Sequence, residues 1–170
     1  MGAFLSRSTS DLATSDLATP HHICRSVETA EELEQHVRIR RTVFVEEQGL
    51  FEHTDQDDFD RDPTVHHVLA YVGSVPVGTV RLYRLPSPVA EERLWKGDRL
   101  AVLPEYRHLW LGGPLVRYAV ATAAAAGGTR MTAFVQLTNV TFFRRLGWSK
   151  VGGPVAYVGV PHQRMSIDLT

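Results

Sequence analysis

The sequence predicts a mixed α/β fold: a mostly antiparallel sheet of six to seven strands, flanked by helices, with one central β-α-β crossover. Three observations carry this. Short runs rich in Val, Leu and Tyr recur along the chain, separated by turn residues. An alanine-rich stretch long enough for a helix stands between two of them, the connection that makes neighbouring strands parallel. Finally, 170 residues, 44% of them hydrophobic and 22% charged, suit one domain with one core.

The elements follow in order. Residues 1–20 are polar and slightly repetitive, end at Pro20 and read as a tail; residues 21–170 read as the domain. Ile23–Val27 is a first short strand. Thr29 stands three residues before Glu32, a capping-box spacing. The helix it opens runs through LEQHVRIRRTVFVEEQ, with Leu33, Val37, Ile39, Val43 and Phe44 near a helical period, and breaks or bends before Gly49. FEHTDQDDFDRDP reads as an acidic, solvated loop. It lacks the glycine and terminal glutamate of a calcium-binding loop, and no metal is expected. VHHVLAYV, GSVPVGTVRLYRL and DRLAVL are three strands, the first two joined at Gly73–Ser74. Pro114 suits the first turn of a helix that continues as LVRYAVATAAAA and stops at Gly127–Gly128. MTAFVQ is the next strand. Asn139 caps a short helix, TFFRRL, closed by Gly147, and VAYVGV and RMSIDL pair around Pro161–His162.

Composition excludes several classes. A net charge of -1 gives no general pull toward nucleic acid or membrane, and basic and aromatic residues do not interleave as in nucleic-acid binders. Cys24 is the only cysteine, so neither an internal disulfide nor a cysteine metal cluster can form. That fits a reducing, cytoplasmic setting. MGAFLSRSTS lacks the apolar centre of a signal peptide, and no run approaches a membrane span.

The stretch LPEYRHLWLGGPL, from Leu103 to Leu115, concentrates the chemistry. A strand ends near Leu103, and Gly112–Gly113 open a helix whose first backbone N–H groups lack partners and attract anions. Arg107 could add a bidentate contact to a phosphate; alternatively the glycines only permit a tight turn and Arg107 lies on the surface. Neither GxxxxGK[ST] nor GxGxxG is present, which argues against an ATP hydrolase or a dinucleotide dehydrogenase.

These residues resemble the central motif of the GNAT superfamily of acyl-CoA-dependent N-acetyltransferases, roughly V-x-P-x-x-[RQ]-x-x-G-x-[GA], with Val102, Pro104, Arg107 and Gly112 in the matching places. NVTFFRRLGW, from Asn139 to Trp148, resembles the family's second signature, and RRTVFVEEQG, from Arg40 to Gly49, resembles a segment that borders the acceptor site. The likeness covers about Val27 to Leu169. The order RTVFVEEQGLFE, GTVRLYRLP, central motif further resembles a bacterial N-acetyltransferase group.

The resemblance implies the GNAT fold and transfer of an acyl group, acetyl first, from acyl-CoA to a primary amine of a small molecule or peptide. It implies that amides of Arg107, His108, Leu109, Trp110, Leu111, Gly112 and Gly113 wrap the pyrophosphate of coenzyme A. Val102 and Leu103 would lie beside the pantetheine arm, and Asn139 would orient that arm or its helix. Arg144, Arg145 and Lys150 either meet the adenosine 3′-phosphate or form a solvated helix face. Trp110 departs from the pattern, standing where the family keeps a glycine. Phe143 replaces a tyrosine that protonates the departing thiolate. Phe44, Glu46, Glu47 and His162 fall on the acceptor side. Glu47, His67 and Asp98 are candidate bases; His66 and His67 point to opposite faces of a strand, so at most one can face the cleft. Homodimerisation is a family-level expectation. Two other readings stand beside this one: an acyltransferase of another kind, similar to acyl-homoserine-lactone synthases, and a non-catalytic acyl-CoA sensor.

Overall fold

The computed structural model describes residues 21–170; the expected tail at 1–20 lies outside them. Eight strands form a single sheet: β1 (His22–Ser26), β2 (His66–Val72), β3 (Val75–Arg84), β4 (Leu94–Val102), β5 (Arg130–Gln136), β6 (Ser149–Lys150), β7 (Val155–Tyr157) and β8 (Val160–Asp168). Their order is β1-β2-β3-β4-β5-β8-β6, with β7 also on β8. The seven strands read in the sequence are all present; the eighth, β6, has two residues, too few for a periodic signal.

All pairings are antiparallel except β4 with β5. Helix α2 (Gly112–Ala125) makes the crossover between those two. It lays Leu115, Val116, Ala119 and Ala123 on one face of the sheet, against Val68, Ala70, Val80 and Leu82. Helix α1 (Ala30–Arg40) covers the opposite face, where Ile39 meets Leu69 and Tyr71. The alternation Val68/Leu69/Ala70/Tyr71 along β2 is the period of two that sends neighbours to opposite faces. Helix α3 (Val140–Arg145) follows β5.

Local chemistry explains the helix ends. The Thr29 hydroxyl accepts from the Glu32 N–H at 3.1 Å, and the Glu32 carboxylate accepts from the Glu28 N–H at 2.8 Å, as the spacing predicts. The helix does not simply break before Gly49: residues Arg41–Glu47 widen into π-helical turns, with Gln48 N–H donating to the Val43 carbonyl, and Gly49 at φ 61 ends the run. That extra width buries Val43 and Phe44 together.

Three local expectations are corrected. Asn139 makes no side-chain cap to α3, since a 3-10 turn at Leu137–Asn139 already leads into the helix. Pro161 and His162 lie inside β8; the hairpin turn is at Val158–Gly159, both at positive φ. Strand β4 starts at Leu94, four residues earlier than DRLAVL suggested.

Two features of β4 shape the site. Thr79 and Arg81 on β3 face Ala101 and Asp98, so β4 carries an extra residue: a β-bulge at Arg99–Leu100, with Arg99 at φ 54. On its other edge β4 pairs with β5 only from Leu94 to Lys96, against Arg130 to Thr132. Beyond that the strands diverge, and that edge of β4 from Gly97 onward has no partner strand.

Candidate active site

A groove and a cavity meet at the divergence. The groove runs from the end of β4 to the start of α2, past Val102, Arg107, Trp110, Gly112, Thr138 and Phe142. The cavity reaches from the β7–β8 hairpin through the gap between β4 and β5 to the underside of α2. Leu100, Gln136 and Asn139 border both.

The groove is built by a 3-10 turn, Pro104–Leu109, that brings the chain back to α2. Trp110 ends it at φ 56. For a residue with a Cβ that conformation costs about 1 kcal/mol, which gives the physical reason a glycine suits the place. The Trp110 side chain is 82% exposed and stands on the groove rim, while Leu111 beside it is buried and anchors the turn. The amides of Gly112 and Gly113 lie in the first turn of α2 and have no acceptor four residues back within the helix; Pro114 has no N–H. A Cβ on Gly112 would come within 3.3 Å of the Phe142 ring, so a glycine keeps this end of the groove open.

Arg107 points across the groove to Glu47. Its two terminal nitrogens donate to the two Glu47 oxygens at 2.7 and 2.5 Å, and its Nε donates to the Val102 carbonyl at 3.1 Å. The Arg107 hydrogen bonds hold the Glu47 carboxyl below its ordinary value, which makes Glu47 a poor proton acceptor and a good partner for orienting Arg107. His108 and Leu109 do not border the groove, and Leu103 packs instead against the Ile39 cluster. Arg145 is exposed on α3 and borders neither space. Glu46 is exposed and pairs with Arg41 at 3.3 Å.

The cavity carries the other candidates. His162 is buried on its wall. Its Nδ1 lies 2.8 Å from the Val160 carbonyl; a carbonyl only accepts, so Nδ1 carries a proton, and in the neutral ring Nε2 has the lone pair. Nε2 makes no hydrogen bond among the described residues. The Tyr157 ring stands edge-on to His162 at 5.2 Å, and its hydroxyl accepts from Arg99 at 3.4 Å. Asp98 also borders the cavity, but its oxygens accept from Arg81 Nε and Nη2, both at 2.8 Å, and from the Tyr83 hydroxyl at 3.1 Å. Phe143 is buried, edge-on to Phe142 and Trp148, and Phe44 completes the wall. His67 borders neither the groove nor the cavity: it is buried under α1, edge-on to His36, with its Nε2 3.0 Å from Asp60 Oδ1. Cys24 is not a nucleophile at neutral pH, because burial pushes its thiol up to about 11.

The acidic loop is not the solvated loop its composition suggests. Arg40 donates to Asp55 at 2.7 Å and to both Asp60 oxygens at 2.6 and 2.9 Å. Arg81 grips Asp57 at 2.6 and 2.9 Å as well as Asp98. Arg99 donates to the Asp55 side chain at 2.9 Å and to its carbonyl at 2.8 Å. Burial alone would raise the Asp57 and Asp60 carboxyls, but hydrogen bonds from Arg81 and Arg40 outweigh it and hold both low. The loop is thereby fastened to the bulge, and the contacts on Arg99 offset its left-handed backbone. Neither this network nor Tyr157 was visible in the sequence. The signal available was the presence of Arg40, Arg81 and Arg99 in elements otherwise rich in apolar residues.

Comparison with known proteins places the chain. The acetyltransferase (GNAT) family matches residues 30–148, and the chain belongs to it. A Bacillus subtilis (strain 168) protein named "Putative acetyltransferase" is 30% identical over 146 residues, spanning 84% of this chain and 93% of the relative. Among solved structures, FeeM, an N-acyl amino acid synthase from uncultured soil microbes, superposes with a TM-score of 0.74 at 16% identity, over 89% of this chain and 93% of FeeM. BjaI, a CoA-dependent acyl-homoserine lactone synthase solved with SAM and isopentyl-CoA, gives 0.71 at 21% identity, over 88% and 84%. The fold is that of acyl-transfer enzymes. None of the described helices is long and apolar enough to cross a membrane.

Proposed function

We propose that residues 21–170 form a single N-acyltransferase domain that moves an acyl group, acetyl in the simplest case, from acyl-CoA to a primary amine of a small molecule or peptide. The observation that carries this is the divergence of β4 and β5, which joins an anion-ready groove to a cavity holding a histidine with a free lone pair. The groove residues fit coenzyme A: the Gly112 and Gly113 amides and Arg107 would hold its pyrophosphate, and the unpaired edge of β4 offers backbone groups to the pantetheine arm. When bound, acyl-CoA supplies a thioester, an acyl group activated toward amines.

The chain's own residues then have distinct tasks. His162 Nε2 holds the proton released by the attacking amine. Backbone N–H groups along the free edge of β4 face the developing charge on the acyl oxygen. Asp98 and Tyr157 line the amine's side of the cavity, and Glu47 keeps Arg107 aimed across the groove. Phe143 supplies an apolar wall and no proton, which a thiolate leaving group with a parent pKa of about 8–9 tolerates.

The test combines calorimetric titration of CoA with thiol release from acetyl-CoA against amines, polyamines, amino acids and peptides. Arg107→Ala should weaken CoA binding by about 10- to 100-fold, the worth of a charged hydrogen bond. His162→Ala should lower kcat by about 100-fold or more while leaving CoA affinity unchanged. An Arg107→Ala protein that binds CoA as the parent does would overturn the phosphate assignment. Binding without turnover on any amine would point to a sensor.

A further inference from the structure

The cavity is larger than an acetyl group needs, and its lining changes character along its length. Near the β7–β8 hairpin it is polar, with Asp98, Arg99, Tyr157 and His162. Beyond the gap between β4 and β5 it becomes apolar, enclosed by Val80, Val116, Ala119, Met131, Ala133 and Trp148. The cavity measures about 110 Å³. A water occupies about 30 Å³ of liquid, close to the share of one methylene, so the space matches roughly four carbons.

Protein interiors are otherwise close-packed, and the apolar part of this space is destabilising unless a ligand fills it. The chain keeps it open with small residues. Alanines occupy 119 and 133, on the α2 and β5 walls, where a larger aliphatic side chain would close the space. Gly97 stands on the β4 wall, where a Cβ would come within 2.6 Å of Met131 Cε and drive that side chain from its place.

We infer that this apolar chamber receives the acyl chain of the donor, and that the preferred donor carries a short-chain acyl group of about four carbons. The inference rests on the acyl-CoA reading above. A thioester lying along the free edge of β4 at Leu100, where groove and cavity meet, has its acyl carbons directed at the chamber under α2. The amine acceptor keeps the polar end. Ala119 and Ala133 are then the residues that set acyl length.

The experiment titrates the full chain, without acceptor, with CoA and with acetyl-, butanoyl-, hexanoyl-, octanoyl- and dodecanoyl-CoA, read by calorimetry and thermal shift. Each methylene that leaves water should tighten binding about four-fold, until the chamber is full near four carbons. Butanoyl-CoA should bind at least ten-fold tighter than acetyl-CoA, and longer chains should gain nothing further. Ala133→Leu should cost butanoyl-CoA at least ten-fold and leave CoA and acetyl-CoA within two-fold; Ala119→Leu provides the same test from the opposite wall. Dissociation constants that do not vary with acyl length in the parent protein, with CoA itself bound, overturn the inference and leave the acyl-CoA reading standing. Failure of CoA and all its thioesters to bind removes both.

Discussion

Along β3, Val80 and Leu82 enter one interior while Thr79, Arg81 and Tyr83 enter another, and the two are chemically opposite. Under α2 the sheet is dry and apolar, with Leu115, Ala119, Trp95 and Met165 all but inaccessible. Under α1 it holds Arg40 and Arg81, both fully buried, with Asp55, Asp60 and Asp98 around them. The apolar side stabilises by area and is indifferent to direction. The ionic side gains little net stability over an apolar packing, because desolvation offsets attraction. It supplies position instead: Arg81 ties Asp98 to Asp57, Arg99 ties the β4 bulge to Asp55, and the Thr79 hydroxyl donates to the Arg99 carbonyl at 2.8 Å. The bulge, and with it the free edge of β4, is held by directional bonds.

Breaking the ionic side should have the larger effect. Arg81→Ala leaves Asp57 and Asp98 without their partner and should cost about 3–5 kcal/mol, read from the urea midpoint. It should also depress acyl transfer under conditions where the protein is folded, because the bulge loses its anchor. Leu115→Ala, on the apolar side, should cost about 3 kcal/mol with little change in activity per folded molecule. If the two variants lose activity equally at matched folded fractions, the division of labour is wrong.

The smallest effect is in pH. Burial, and then the charge of Arg40, hold His36 well below its ordinary 6.5. Its Nε2 faces the Val80 carbonyl at 3.1 Å and therefore carries the proton, while Nδ1 is turned to Arg40 at 3.5 Å. Below pH 6.5 the unfolded chain takes up a proton here that the folded chain refuses, so stability falls as pH falls, by at most about 1.4 kcal/mol per pH unit for this group. The depressed Asp57 and Asp60 carboxyls add a loss of the same sign as pH drops through and below about 4. Thermal midpoints should be flat between about pH 7 and 8 and decline from 6.5 downward, and His36→Gln should flatten the first part of that decline. A midpoint that rises on acidification to pH 5 contradicts the neutral assignment of His36.

Much of this was legible in the residues. The Thr29 cap, the hairpin at Gly73–Ser74, the Ala-rich crossover and the glycine start of α2 all rest on contacts between near neighbours, and the structure contains each. The site was legible only in outline. LPEYRHLWLGGPL marks the groove because its glycines and proline act locally. Pro161 reads as punctuation and puts His162 in a turn, yet it sits in a strand beside the cavity, and His67, one of the candidate bases, is buried under α1 away from both spaces. The acidic loop misled because carboxylates usually seek water; here three arginines distant in sequence take its place.

The sequence by itself determined the alternation of apolar and polar positions, the helix ends and the motif, since each depends on a few adjacent residues and on the geometry of one element. Only the tertiary structure decided how far β4 and β5 stay together, which way Arg99 and Arg107 point, and which histidine borders the cavity. The two arginines are aimed by partners 44 and 60 residues away, Asp55 for Arg99 and Glu47 for Arg107. No local pattern encodes them, because their energies exist only once the partners have been buried side by side.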